Sequence, residues 1–187
     1  LFRSDCGGIY MLDQRTGGLR LEVHAGLPKE LIDQMVSYPA DSQHARMVCN
    51  GEPIYTAYEM LIIPGNWVRR AEGWRAIGVI PVKYDERVLA SLNVASHTSA
   101  EVPPWSRVIL ETIAGQIGCA INRLETREAL LRAEQEKAVI LNTIPQIVVY
   151  HDLAHRIVWA NRAALEALGQ PAAQIVGRPC YEVWDGR

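Results

Sequence analysis

Four cysteines and five histidines are the residues best suited to metal or redox chemistry in this 187-residue chain. Thiolates and imidazoles ligate zinc, but a knuckle needs them at short fixed spacings such as Cys-x-x-Cys. Cys6, Cys49, Cys119 and Cys180 stand far apart, and no Cys-x-x-Cys occurs. Cys6, His44 and Cys49 come nearest to a ligand set, yet their spacing fits no knuckle, so no metal is expected. Cys119 lies among Ile117, Ala120 and Ile121 and reads as a core thiol, while His97 reads as a loop residue. Arg69-Arg70 reads as a solvated pair, with contact to an anion as the alternative. There is no Gly-x-Ser-x-Gly elbow, phosphate loop or His-Glu-x-x-His, so no catalytic residue is expected.

The elements that would position these residues belong to a globular chain. With 19 basic and 21 acidic residues the formal charge is −2, which gives no positive field for nucleic acid. At 49% hydrophobic it is no disordered acidic tail. No apolar run is long enough to span a bilayer, and no membrane contact is expected. The chain opens Leu1-Phe2-Arg3 without an initiator Met or a signal peptide, and reads as a fragment of a cytoplasmic protein.

The pattern predicts α+β structure. Gly8–Asp13 is an apolar run, and Leu19–Ala25 alternates strictly, as a half-buried strand does. Apolar residues at 27, 31, 32 and 35 follow a helical period. Ile54-Tyr55, 76–83 and 88–95 read as further strands. The expectation is a central antiparallel sheet of about five or six strands. Helices from 27–35 and 105–122 should cover one of its faces, with Ile77, Val79, Leu92 and Val94 turned towards the second helix.

From Arg107 to Thr143 there is no proline. Leu110, Ile117, Leu124, Leu131 and Ala138 recur every seven residues, with Ile113, Ala120, Arg127, Glu134 and Leu141 at a three-residue offset. This is a heptad pattern whose second row is weakened by two charges, and it predicts a parallel homodimeric coiled coil. The expected seam is Leu110, Ile113, Ile117, Ala120, Leu124, Leu131, Ala138 and Leu141. Beyond it, 147–150 and 156–160 read as strands, Asn161 as the cap of a helix to Leu168, and 171–177 as a short helix. This last stretch holds too little chain for a complete core.

Several of these pieces together resemble the later part of a GAF domain, a small-molecule sensory module. They are Gly8–Asp13, Gly17-Gly18, Leu19 to Leu27, Asn50-Gly51-Glu52-Pro53, Ile77 to Val82, Leu92-Asn93-Val94-Ala95, and the helix segments 111–118 and 120–122. Ala90 stands where the family usually has Gly. Ile144-Pro145, the strand at 147–150, 157–164, Leu168-Gly169, 175–178 and Cys180-Tyr181-Glu182-Val183-Trp184 resemble the start of a PAS domain of the kind found in bacterial and archaeal sensor histidine kinases. The resemblance implies a GAF-like domain over 1–125, a signalling helix over 126–140 and the first part of a PAS-like domain over 141–187.

It further implies a non-catalytic sensory region of a signalling protein, with a histidine kinase as the full-length expectation. Its partners would be a second copy through the long helix and a small molecule in the GAF pocket. The region from Met60 to Trp74 is the expected lid, and Trp67, Trp74 and Cys119 are the candidate lining; the two tryptophans either line the pocket or cap the core. The cofactor is unknown. Asn93 is followed by Val94 and Phe2 is the only Phe, so the cyclic-nucleotide signature of some GAF domains is missing, as is the Cys-His dipeptide of the chromophore-binding ones. Two alternatives stay open, a GAF-fold enzyme of the methionine-sulfoxide reductase type and a ligand-free dimerisation module. Cys180 reads as structural.

Overall fold

The computed structural model describes residues 4–57 and 73–185. The chain divides into two compact units, Leu1–Leu124 and Glu125–Arg187. In the first, β1 (Cys6–Leu12), β2 (Leu19–Ala25), β3 (Ser37–Tyr38), β4 (Ile54–Ala57), β5 (Ala76–Tyr84) and β6 (Arg87–Ser96) form one sheet in the order β3-β2-β1-β6-β5-β4. Every pairing is antiparallel. Helices α1 (Lys29–Met35) and α2 (Gln43–Cys49) follow β2 and β3, and α3 (Pro104–Thr143) follows β6.

The helices lie on opposite faces of the sheet, not on one. Leu31 and Met35 of α1 and Ala45 and Val48 of α2 pack with Tyr10, Ile77, Val79 and Ala95. On the other face, Leu110, Ala114, Ile117 and Ile121 of α3 pack with Ile80, Val82, Ala90, Leu92 and Val94. Thus Leu92 and Val94 face α3 as expected, whereas Ile77 and Val79 face α1 and α2. The reason is that β5 is buried on both sides: all seven residues from Ala76 to Val82 are buried. Such a strand reads as a continuous apolar run and carries no mark of which parity meets which layer.

Proline suits the first turn of a helix because that position needs no donor, and Pro104 opens α3. Gly118 lets the helix approach the sheet, since a β-carbon there would overlap the Lys83 carbonyl. Tyr55 fastens the same contact from β4. Its hydroxyl donates to Glu111 Oε1 at 2.9 Å, and the Arg107 guanidinium lies 5.0 Å above its ring. Burial first, then donation to this carboxylate, pushes the Tyr55 hydroxyl well above its ordinary value.

Within the second unit, β7 (Val149–His151) and β8 (Ile157–Ala160) make a two-stranded antiparallel sheet. Helices α4 (Arg162–Leu168), α5 (Ala172–Ile175) and α6 (Cys180–Asp185) follow. Ile157, Ala160, Ala164, Ile175 and Val183 form its core, with Cys180 half-buried beside them. Asn161 caps α4 and does far more. Its Oδ1 accepts from Ala164 N and Val148 N, both at 3.0 Å. Its Nδ2 faces the carbonyls of Leu141, Ile144 and Gln146 at 3.2, 3.2 and 2.8 Å. One fully buried amide therefore ties the end of α3 to β7 and α4.

Candidate functional site

The α1/α2 face of the first unit encloses a cavity of about 20 Å³, room for roughly one water molecule. Alternation along β6 turns Ser91, Asn93 and Ala95 to this face, opposite Leu92 and Val94. From α2, whose first turn is capped by the Ser42 hydroxyl accepting from Ala45 N at 3.1 Å, His44 reaches down to the strand. Ser91 Oγ donates to Asn93 Oδ1 at 2.6 Å, and Asn93 Nδ2 lies 3.0 Å from His44 Nε2. With the amide in this orientation its nitrogen donates and Nε2 accepts.

All three residues of this relay are buried. The His44 ring stacks on Tyr38 with centroids 4.3 Å apart, and Tyr10 stands 5.3 Å from Tyr38. Trp74 and Cys6 complete the wall. Among the described residues no charged side chain lines the cavity. As it stands the space admits no more than a water-sized group, and the aromatic faces and relay would have to part to hold a larger neutral molecule with one polar end.

The expected site residues fall out as follows. Trp74 is buried and lines the cavity. Trp67 and Arg69-Arg70, with most of the expected lid, lie outside the described residues. Cys119 is exposed, so it is neither a core thiol nor a cavity residue. Gly118 and Ile121 hold the buried face of α3, and Cys119 is turned away from it. Of the four cysteines only Cys6 lines the cavity; Cys49 is exposed at the end of α2. From the sequence His44 is weighed only as a metal ligand and Asn93 only against a cyclic-nucleotide signature; their pairing is not visible there, because 49 residues separate the two.

The expected seam of α3 is divided. Leu110 and Ile117 are half-buried against the sheet, so the first unit itself takes up part of their surface. Ile113, Leu124 and Leu131 are 44%, 61% and 48% exposed, and Ala120 is exposed too. Ile109, at 52%, adds to this free apolar row. Ala138 and Leu141 are half-buried within the second unit.

Among the described residues one group of three potential metal ligands occurs, Asp5, Cys6 and His97. It differs from Cys6, His44 and Cys49, which do not come together as a ligand set. His97 is more than a loop residue: its Nδ1 lies 3.2 Å from Asp5 Oδ2.

A two-faced antiparallel sheet with a small cavity under short helices, and a long helix on its far side, defines an α+β domain of the kind found in sensory and regulatory modules. The chain belongs to the GAF domain family, whose model matches residues 1–122. Residues 141–187 match the model of the PAS fold. No curated protein matches the chain.

Solved structures share the fold at low identity. The GAF domain of a two-component sensor histidine kinase from Bacillus halodurans is 15% identical, with a TM-score of 0.56 over 68% of this chain and 88% of that one. The GAF domain of a phosphoenolpyruvate-protein phosphotransferase from Coxiella burnetii is 15% identical, with a TM-score of 0.57 over 67% and 76%. The type II free methionine-R-sulfoxide reductase of Thermoplasma acidophilum is 17% identical, with a TM-score of 0.50 over 65% and 80%. At these identities the likeness is one of fold. Among the described residues no helix is long and apolar enough to cross a membrane.

Proposed function

We propose that this chain is the sensory region of a multidomain cytoplasmic signalling protein, with a sensor histidine kinase as the full-length context. It binds a small neutral molecule on the α1/α2 face of the GAF domain. The observation that carries this reading is the buried Ser91–Asn93–His44 relay bordering the aromatic cavity. Burying three polar side chains is costly unless each is bonded, and a chain gains nothing in stability by placing them beside a void. A ligand's polar end would bond there, and Tyr38 and Trp74 would move apart to hold its apolar part, opening the water-sized space.

The bound state passes along α3 to an output domain through a homodimer. The free row Ile113, Ala120, Leu124 and Leu131 supports this pairing. Arg127 and Glu134 interrupt the row, and polar seam positions trade stability for register. Two arrangements of such a helix pair, a few kcal/mol apart, can be biased by differential ligand affinity. The reductase-type alternative finds less support, because a single cysteine lines the cavity.

Native mass spectrometry of the purified chain tests the ligand claim. A co-purifying neutral small molecule should be present, and Asn93→Leu should abolish its retention. Sedimentation tests the pairing: the chain should be dimeric at micromolar concentration, and Leu124→Asp with Leu131→Asp should make it monomeric. A chain that retains nothing, with a dimer intact in both forms, leaves the ligand-free dimerisation module. A monomeric wild type removes the helix as the route of transmission.

A further inference from the structure

We infer that Asp5, Cys6 and His97 form a binding site for a borderline divalent cation of the zinc type, with three protein ligands and one open coordination position. This inference does not depend on the sensory reading above. The donor set is the first reason. A thiolate, an imidazole and a carboxylate are the three side chains that zinc takes, and three such ligands leave the fourth tetrahedral position free for water or an exogenous donor.

Geometry is the second reason. The three ligand atoms lie within 4.8 Å of one another. His97 Nδ1 and Asp5 Oδ2 are 3.2 Å apart. Two ligands at zinc distances and a tetrahedral angle stand about 3.3 Å apart, so this pair already spans one edge of the polyhedron. The edges to Cys6 Sγ are no longer than 4.8 Å and must shorten on binding.

The framework under the ligands is fixed by pairing at the middle of the sheet. Cys6 stands opposite Ala95 in the β1–β6 ladder, and Asp5 N donates to Ala95 O at 3.2 Å. His97 follows β6 directly, so its position is set by the same ladder. Gly26, with φ of +67°, lets the chain pass against the Asp5 carbonyl, where a β-carbon would overlap it. The His97 N–H donates to the Asp5 carboxylate, at 3.2 Å to Oδ1 and 3.3 Å to Oδ2. Such a bond holds the carboxylate in place beside the His97 ring, and a cation would take over the Oδ2 contact. The Trp74 ring packs against His97 edge-on at 6.5 Å.

Charge completes the case. Cys6 is only 4% exposed, and its Sγ lies 4.0 Å from the Ala95 carbonyl. Binding exchanges the thiol proton for the cation: the S–H bond breaks, an S–metal bond forms, and one proton leaves to solvent. A thiolate, a carboxylate and a neutral imidazole around a divalent ion sum to zero, so the buried sulfur carries no uncompensated charge. Cys6 also lines the aromatic cavity, so the metal's thiolate ligand would form part of its wall.

The test uses the whole chain, stripped with a chelator and titrated with zinc(II) and separately with cobalt(II). One equivalent of zinc should bind with release of one thiol proton. Cobalt should give thiolate charge-transfer absorption together with the intense visible bands of a tetrahedral ion. Cys6→Ser should remove the charge-transfer band, and Asp5→Asn and His97→Ala should each weaken zinc binding about tenfold or more. The triple variant Cys49→Ser, Cys119→Ser, Cys180→Ser should retain the band. Absence of stoichiometric binding overturns the site, as does a band that survives Cys6→Ser or is lost in the triple variant. Unchanged zinc affinity in both Asp5→Asn and His97→Ala overturns it too. Those two side chains are partly exposed, at 29% and 37%, so their variants decide the matter even if Cys6→Ser does not fold.

Discussion

Replacing Gly118 by alanine adds one methyl group at the closest approach of α3 to the sheet. In an exposed helix position the same change helps, since alanine exceeds glycine in helix propensity by about 0.8–1.0 kcal/mol. Gly115 provides that reference on the same helix: it is exposed, and a β-carbon there meets nothing within 4 Å. Gly115→Ala should therefore stabilise the first unit by about 1 kcal/mol. At Gly118 the added carbon meets backbone, the Lys83 carbonyl, which no rotamer change can move aside. Overpacking of this sort costs about 1–3 kcal/mol, and the unyielding neighbour puts it near the upper end. The helix must lift, loosening Leu110, Ala114, Ile117 and Ile121 from the sheet together. Subtracting the propensity gain leaves a net loss of about 2 kcal/mol, and a gap of about 3 kcal/mol between the two variants. Urea unfolding of both proteins measures the gap directly. If their stabilities agree within about 0.5 kcal/mol, the close approach of α3 to β5 is wrong.

Three further outcomes are expected. Ile80→Ala should cost about 2–5 kcal/mol in the same assay, and Leu92→Ala less, because Ile80 is 2% exposed while Leu92 is only half-buried. Tyr55 has its hydroxyl raised above the ordinary 10.0, so the unfolded chain ionises it first. Its contribution is fully present below pH 10 and is lost as pH rises towards the folded-state value; Tyr55→Phe should flatten that alkaline loss in pH-dependent unfolding. Asn161→Asp keeps the acceptor for Val148 and Ala164 but turns a carboxylate oxygen towards three carbonyls. Hydrogen exchange across 141–168 should accelerate by the equivalent of about 1–3 kcal/mol at neutral pH, and recover in acid, where the protonated group donates again.

Strand positions were legible where one face is solvated or a turn intervenes. Leu19–Ala25 alternates and is β2 to the residue, and the break at Tyr84–Arg87 separates β5 from β6. The layer assignment was not legible, because β5 and most of β6 are buried on both sides and residues of either parity are apolar. The seven-residue rows on α3 mixed two signals. Leu110 and Ile117 repeat because they meet the sheet, while Leu124 and Leu131 continue the row where α3 is exposed. Helix α2 was missed, since its polar and apolar residues follow no clean period over seven positions. Asn161 was read as a cap, but its three carbonyl partners lie 15 to 20 residues back, beyond any local pattern. The Asp5–Cys6–His97 group depends likewise on a pairing across 92 residues between Asp5 and His97.

The order of strands also governs how the first unit can be assembled. β1 and β6, the earliest and the last to leave the ribosome, are neighbours at the middle of the sheet, with Cys6 opposite Ala95. The hairpins β1–β2 and β5–β6 can close locally, but their union must wait until most of the domain has been made. Until then β1 presents a bare edge of unpaired amides and carbonyls, a template for pairing with another nascent chain. A domain of this topology is therefore most prone to aggregation while it is being synthesised, and chains cut short before Arg87 should be found chiefly in insoluble form.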